Sequence, residues 1–227
     1  MKKSLLEEDA LLLIEQNFYF LHTGVFFSNL TKKVPLAKEN ELLISKKYGD
    51  KRYNFNISII RLMLESDYEL ALEETTLFEF FVELNAFRGI GMAMVEVLKL
   101  DGDFKKFIEK KLGVFYEDFY DLISFVRNVL SHNIHADIEL GKKDFEGTLK
   151  RIKRMKRKPL IRVDFNYHKD LQEIKSPFLE YGFNIEIDFS QLKESMPLLE
   201  VLSLWELMML SELCFNFVVA YKLSRAY

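Results

Sequence analysis

Apolar residues recur at helical spacing through most of the chain. Ser4 and Glu7 form a capping-box pair, in which a hydroxyl and a carboxylate satisfy the first free N–H groups of a helix. They open a Leu-, Ile- and Phe-rich helix predicted to reach about residue 30, with an apolar face wide enough to predict burial. Residues 31–56 are polar and basic, hold Pro35, Gly49 and Asp50, and read as a loop with one short helical piece around 39–47. Ile60, Leu64, Tyr68 and Leu72 fall in step and predict a helix over 57–73. Thr76 with Glu79 makes a second capping box, starting a long helix to about residue 99, before the turn Asp101-Gly102-Asp103. Gly89 and Gly91 inside it are costly for a helix and mark close approach of another backbone. Arg88-Gly-Ile-Gly91 lacks the preceding strand and full glycine pattern of a nucleotide loop. A short helix over 104–111 leads through Gly113 to a stripe of Phe115, Phe119, Leu122, Ile123, Val126 and Leu130, predicting a helix over 114–130 with one face in the core.

The period then changes. Residues 160–167 and 183–189 alternate as strands do, with Ile161, Val163 and Phe165 on one side of the first, and Phe183, Ile185, Ile187 and Phe189 on one side of the second. They predict an antiparallel ribbon whose polar connection holds Pro177 and Gly182. A lone ribbon is marginal in water, so it must pack on helices or on another chain. Pro197 opens the last predicted helix, to about residue 224. The fold class is therefore mainly α, a helical bundle with an inserted two-stranded β ribbon, read as one domain over 1–227 with the insertion at about 142–190.

With 227 residues and 49% apolar content, the chain can bury a sizeable core. Its one cysteine, Cys214, lies in an apolar run, which excludes an intrachain disulfide, favours a reducing, cytoplasmic setting, and reads as a buried filler. The acidic Glu7, Glu8 and Asp9 after Lys2 and Lys3 are wrong for a secretory signal. The apolar segment 198–223 is interrupted by Glu200, Glu206, Glu212 and Asn216, which predicts a core or interface helix and no membrane span. The formal net charge of −3 does not point to nucleic acid, but its distribution is uneven. Residues 142–158 hold nine Lys or Arg against Asp144 and Glu146. Within this run Lys150, Arg151, Lys153, Arg154, Lys156, Arg157 and Lys158 are candidate RNA-phosphate ligands, the bland alternative being a solvated helix face.

Candidate chemistry sits at Arg127-Asn128-Val129-Leu130-Ser131-His132. RNA supplies its own nucleophile, the 2′-hydroxyl, and scission needs a base for that proton, an acid for the 5′-oxygen and a cation for the phosphorane. His132 suits proton transfer, its ordinary pKa of about 6.5 lying near working pH. Arg127 suits the charge, because a guanidinium binds phosphate oxygens bidentately and stays ionised. In a regular helix positions five apart lie about 140° apart around the axis, so the two share a face only if the helix ends between or just after them. Ser131 and Asn133 are candidate terminators.

In its helical context this motif resembles the HEPN superfamily, the helical domains of prokaryotic defence ribonucleases and toxins. The resemblance covers mainly residues 76–135 and the last helix. It implies a HEPN-like bundle, and an orienting role for Asn128 beside Arg127 and His132 as catalytic residues. It further implies a homodimer with the motifs of both protomers around one RNA phosphodiester, a route that calls for no metal and no cofactor, and a toxin-antitoxin or antiviral defence role with an antitoxin or nucleotidyltransferase as possible partner. Three other readings stand beside it. Arg127 and His132 can simply bond terminal carbonyls of their helix. His132, His135 and Asp137 can be taken as a metal site, though without a clear fourth ligand. Finally, the chain can be a non-catalytic module of the same architecture that binds RNA, a nucleotide or a protein partner. His168, at the end of the first ribbon strand, reads as a surface histidine.

Overall fold

The computed structural model describes residues 2–33, 45–55, 57–65, 67–70, 73–132, 138–174 and 182–226. The chain is mostly helical. Its elements in order are α1 (Lys2–Lys33), β1 (Ser45–Tyr48), β2 (Lys51–Asn54), α2 (Ile57–Glu65), β3 (Asp67–Leu70), β4 (Glu73–Thr76), α3 (Leu77–Leu100), α4 (Gly102–Leu112), a 3₁₀ turn (Gly113–Phe115), α5 (Tyr116–His132), α6 (Lys142–Arg154), β5 (Leu160–Asn166), α7 (Tyr167–Asp170), β6 (Gly182–Asp188), α8 (Leu198–Val201) and α9 (Leu204–Arg225). The chain divides into two compact units, residues 19–85 and the remainder.

In the smaller unit, two short hairpins stand where the pattern predicted loop and helix. β1 pairs antiparallel with β2, Lys46 opposite Tyr53, within the expected loop; the expected helical piece at 39–47 falls mostly outside the described residues. The helix expected over 57–73 ends at Glu65, and β3 pairs with β4, Tyr68 opposite Thr75. Tyr68, in helical step with Leu64, therefore lies in β3 and not in α2. α3 begins as its capping box requires, with the Glu79 amide donating to Thr76 Oγ1 at 3.1 Å. Thr76 is itself buried against the Ser28 hydroxyl at 2.8 Å.

The larger unit holds the motif. α1 starts at Lys2, so Ser4 lies inside its first turn and does not precede it. A side chain at Gly89 would collide with the Asn17 amide of α1, so α1 and α3 do come close here, but through a side chain where another backbone was expected. At Gly91 the neighbour is α5, an added Cβ standing 3.6 Å from Arg127 Cβ and 3.7 Å from its Cα, an ordinary contact. Asp101 caps α4, its Oδ1 accepting from the Asp103 and Phe104 amides at 2.9 Å. The ribbon forms with the predicted faces: Ile161 opposite Ile187, Val163 opposite Ile185 and Phe165 opposite Phe183, all buried. It packs on the helices, with Phe165 edge-on to Phe217 of α9 and Phe189, just after β6, edge-on to Phe125 of α5. The last helix is two pieces. α8 stops at Val201, and Ser203 with Glu206 forms a full capping box that restarts the chain as α9. α9 is long and apolar enough to cross a membrane by length and composition, and 61% of its apolar window is buried, including Cys214.

Candidate active site

α5 carries Leu122, Ile123, Val126, Val129 and Leu130 into the core and ends at His132. Its last turn projects two polar groups, Asn128 and His132, four residues apart and hence on one side of the helix. Both meet the same residue of α6. His132 Nδ1 lies 2.7 Å from Asp144 Oδ1, and Asn128 Nδ2 donates to the Asp144 carbonyl at 3.3 Å. Asp144 is 2% exposed, whereas the His132 side chain is 56% exposed. An ionised carboxylate only accepts, so Nδ1 carries the proton toward Asp144, and Nε2 is left for chemistry.

Asp144 does a second job. It is the third residue of α6, and its Oδ2 accepts from the Gly141 amide at 2.7 Å while its own amide donates to the Gly141 carbonyl at 2.9 Å. The carboxylate half of a capping box thus also holds the imidazole. The adjoining segment 138–140 runs antiparallel to 195–198. Leu140 N donates to Met196 O, Ser195 N to Leu140 O and Leu198 N to Ile138 O. Ser195 adopts φ +62°, a conformation unusual for a residue with a side chain.

Together these pieces wall an open cavity of about 990 Å³, lined by Ser131, His132, Glu139, Lys142, Lys143, Glu194 and neighbours. The Ser131 hydroxyl is buried with no hydrogen-bond partner among the described residues. Arg88 of α3 donates from Nε to the Leu130 carbonyl at 2.5 Å, placing a cation where the end of α5 is negative.

Arg127 sits elsewhere. α5 is helical through His132, so the two motif residues point about 140° apart, and Arg127 is partly buried beside Gly91 of α3. Within one chain the structure does not bring them together. His135 and Asp137, the other members of the alternative metal site, lie outside the described residues.

The basic run is not one surface. Arg151 turns inward, Nη1 donating to Asp121 Oδ1 at 2.5 Å and Nη2 to Glu117, with its guanidinium 4.7 Å from the Tyr120 ring centroid. Arg157 donates from Nη2 to Asp121 Oδ2 at 2.5 Å and lies 3.0 Å from Asp118. Asp121 is 1% exposed, and burial pushes its carboxyl above the usual range despite both guanidiniums. These two arginines join α5, α6 and the start of β5; they are not a surface for phosphate. Lys150 pairs with Glu146 at 3.0 Å, and Lys153, Arg154, Lys156 and Lys158 are exposed.

Sequence reasoning missed Asp144, twelve residues beyond His132. Its signal was present as an acid at the third position of a helix following Gly141, but read only as one charge within a basic run. Comparison with protein-family models, with curated proteins and with solved structures finds no match for this chain.

Proposed function

We propose that the chain is an endoribonuclease that cleaves RNA by 2′-hydroxyl attack, with His132 as its proton-transfer group. The observation that carries this reading is the half-exposed imidazole whose Nδ1 is held by a buried carboxylate at the mouth of an open cavity. A general base needs its free nitrogen accessible and its ring fixed, and Asp144 supplies the second condition. Nε2 takes the 2′-hydroxyl proton as the 2′-oxygen bonds to phosphorus. The P–O5′ bond breaks, and the 5′-oxygen takes a proton from a second imidazole, leaving a 2′,3′-cyclic phosphate and a 5′-hydroxyl.

A homodimer of the HEPN-like kind supplies that second His132, and the partner's Arg127 as the cation for the phosphorane, since one chain turns Arg127 away. A toxin or antiviral defence role, with an antitoxin or nucleotidyltransferase partner, belongs to the same proposal. A second reading is favoured by two contacts: Asn128 and His132 both grip Asp144, which suits a clasp between helices in a non-catalytic module that binds RNA, a nucleotide or a protein.

End-labelled RNA incubated with the purified protein in excess EDTA separates the two. We expect cyclic-phosphate ends from the wild type and none from His132→Ala or Arg127→Ala. Asp144→Asn can still accept from Gly141 but offers an N–H toward Nδ1, reversing the tautomer, and should slow cleavage about 10²–10⁴-fold while remaining folded. Cleavage unchanged in folded His132→Ala sinks the ribonuclease reading.

A further inference from the structure

α6 has a phase that the run of charges conceals. Asp144, Thr148 and Ile152 are buried and fall four apart, so they define the inner side, and Arg151 turns inward beside them. The outer side is an arc of about 140° holding Lys142, Lys143, Glu146, Gly147, Lys150, Lys153 and Arg154. Its central stripe, Lys143, Gly147, Lys150 and Arg154, follows steps of four, three and four and extends about 16 Å. Glu146 is the one acid on this side, and Lys150 pairs with it.

Gly147 has no internal reason to be glycine. It is exposed, its φ is not positive, and a Cβ built there meets nothing within 4 Å. Glycine is among the poorest helix formers, and α6 is a regular helix at this point. What glycine does is leave a notch of bare backbone between Lys143 and Lys150. A gap in a row of cations suits a chain that must come close to the helix axis with its charges spaced along it. The N-terminal end of the stripe is not remote from the chemistry, because Lys142 and Lys143 line the His132 cavity. Glu139 and Glu194 also line it and would repel a polyanion from their side, whereas α6 sets Lys142 and Lys143 against Glu146, whose charge Lys150 meets, leaving α6 as the favourable approach.

We infer that single-stranded RNA lies along the outer side of α6, with phosphates on Lys143, Lys150 and Arg154 and its sugar–phosphate backbone seated at Gly147, so that the strand enters the His132 cavity past Lys142 and Lys143. The inference rests on the ribonuclease reading for its direction. A single strand is required because in-line attack by a 2′-hydroxyl needs a linkage free to leave A-form geometry. The bases face away from the helix, so recognition here is by backbone and carries little sequence preference.

The test separates binding from cleavage by using a fluorescent, mixed-sequence 2′-O-methyl RNA, which lacks the nucleophile. Anisotropy titrations across salt concentrations would compare the wild type with Lys143→Glu/Lys150→Glu/Arg154→Glu, with Gly147→Leu, and with Lys105→Glu/Lys106→Glu on the exposed side of α4. We expect the α6 reversal to weaken binding by more than tenfold and to lower the log–log salt slope by about 2, three contacts at about 0.7 each. Gly147→Leu, a better helix former with no change of charge, should weaken binding severalfold with the melting temperature kept or raised. Wild-type affinity in Gly147→Leu overturns the seat at Gly147. An α4 reversal as damaging as the α6 reversal means that net charge alone is read, and overturns the surface. If the wild type binds through α6 yet cleaves no RNA, the surface stands and the ribonuclease reading falls.

Discussion

Two glycines in helices make opposite predictions, because one is required by its surroundings and the other is not. Gly24 of α1 is buried against Val82, whose side-chain carbons already occupy the space a methyl would need. Gly24→Ala should cost about 1–3 kcal/mol through overpacking, less whatever helix propensity returns. Gly147→Ala meets nothing and should stabilise by about 1 kcal/mol. Urea denaturation of the two variants checks both signs, and a destabilised Gly147→Ala would mean that this position has an internal role after all. Single residues were also where the sequence was least readable. Arg127 and His132 stand close in the string, and only the observation that α5 stays helical to His132 shows them facing apart.

At the scale of elements, the junction of α5, α6 and β5 depends on Arg151 and Arg157 around Asp121. Removing one cation leaves a carboxylate that is 1% exposed without half its compensation. Arg151→Ala should therefore cost about 3–5 kcal/mol at neutral pH, while Lys153→Ala and Arg154→Ala stay within about 0.5 kcal/mol. The cost has a pH signature. The folded-state pKa of Asp121 is raised, burial being the main cause, so the folded protein holds this proton more readily than the unfolded chain. Its contribution is favourable below the ordinary Asp value of about 4 and is lost as pH rises through the folded value. The penalty of Arg151→Ala should shrink as pH falls into that range, and denaturant titrations of both proteins at several pH values would show the gap narrowing. Elements were legible in proportion to their periodicity. β5 and β6 have one buried face and alternate strictly, so both strands and their inner residues were readable. β1, β2 and β4 are four-residue strands such as SKKY and EETT with no alternation of apolar and polar residues, and β3, DYEL, alternates over only four residues, with Tyr68 also in helical step with Leu64. Linear charge counting cannot register helical phase, which is why Arg151 and Lys150 looked alike.

For the whole molecule, the proposed dimer carries its own test. The proposed centre takes one imidazole from each subunit, so a change in one subunit should disable the site it shares. Wild-type protein unfolded and refolded with an excess of His132→Ala should lose cleavage as the square of the wild-type fraction, because a mixed dimer keeps one imidazole where the proposed centre uses two. Activity that falls only in proportion to the wild-type fraction, with mixed dimers demonstrated by mass spectrometry, would remove the composite centre. The pairing that matters within each chain was hidden in the sequence because it joins two helices across a connection, and a helical pattern reports only on neighbours within one element. That pairing has one more implication. One carboxylate, Asp144, both starts α6 and aims His132. Fraying at the beginning of a helix is among the cheapest motions a folded protein has. The imidazole can be no better aimed than that first turn is folded, so warming should blur His132 in NMR spectra at temperatures where the ribbon and α9 remain intact.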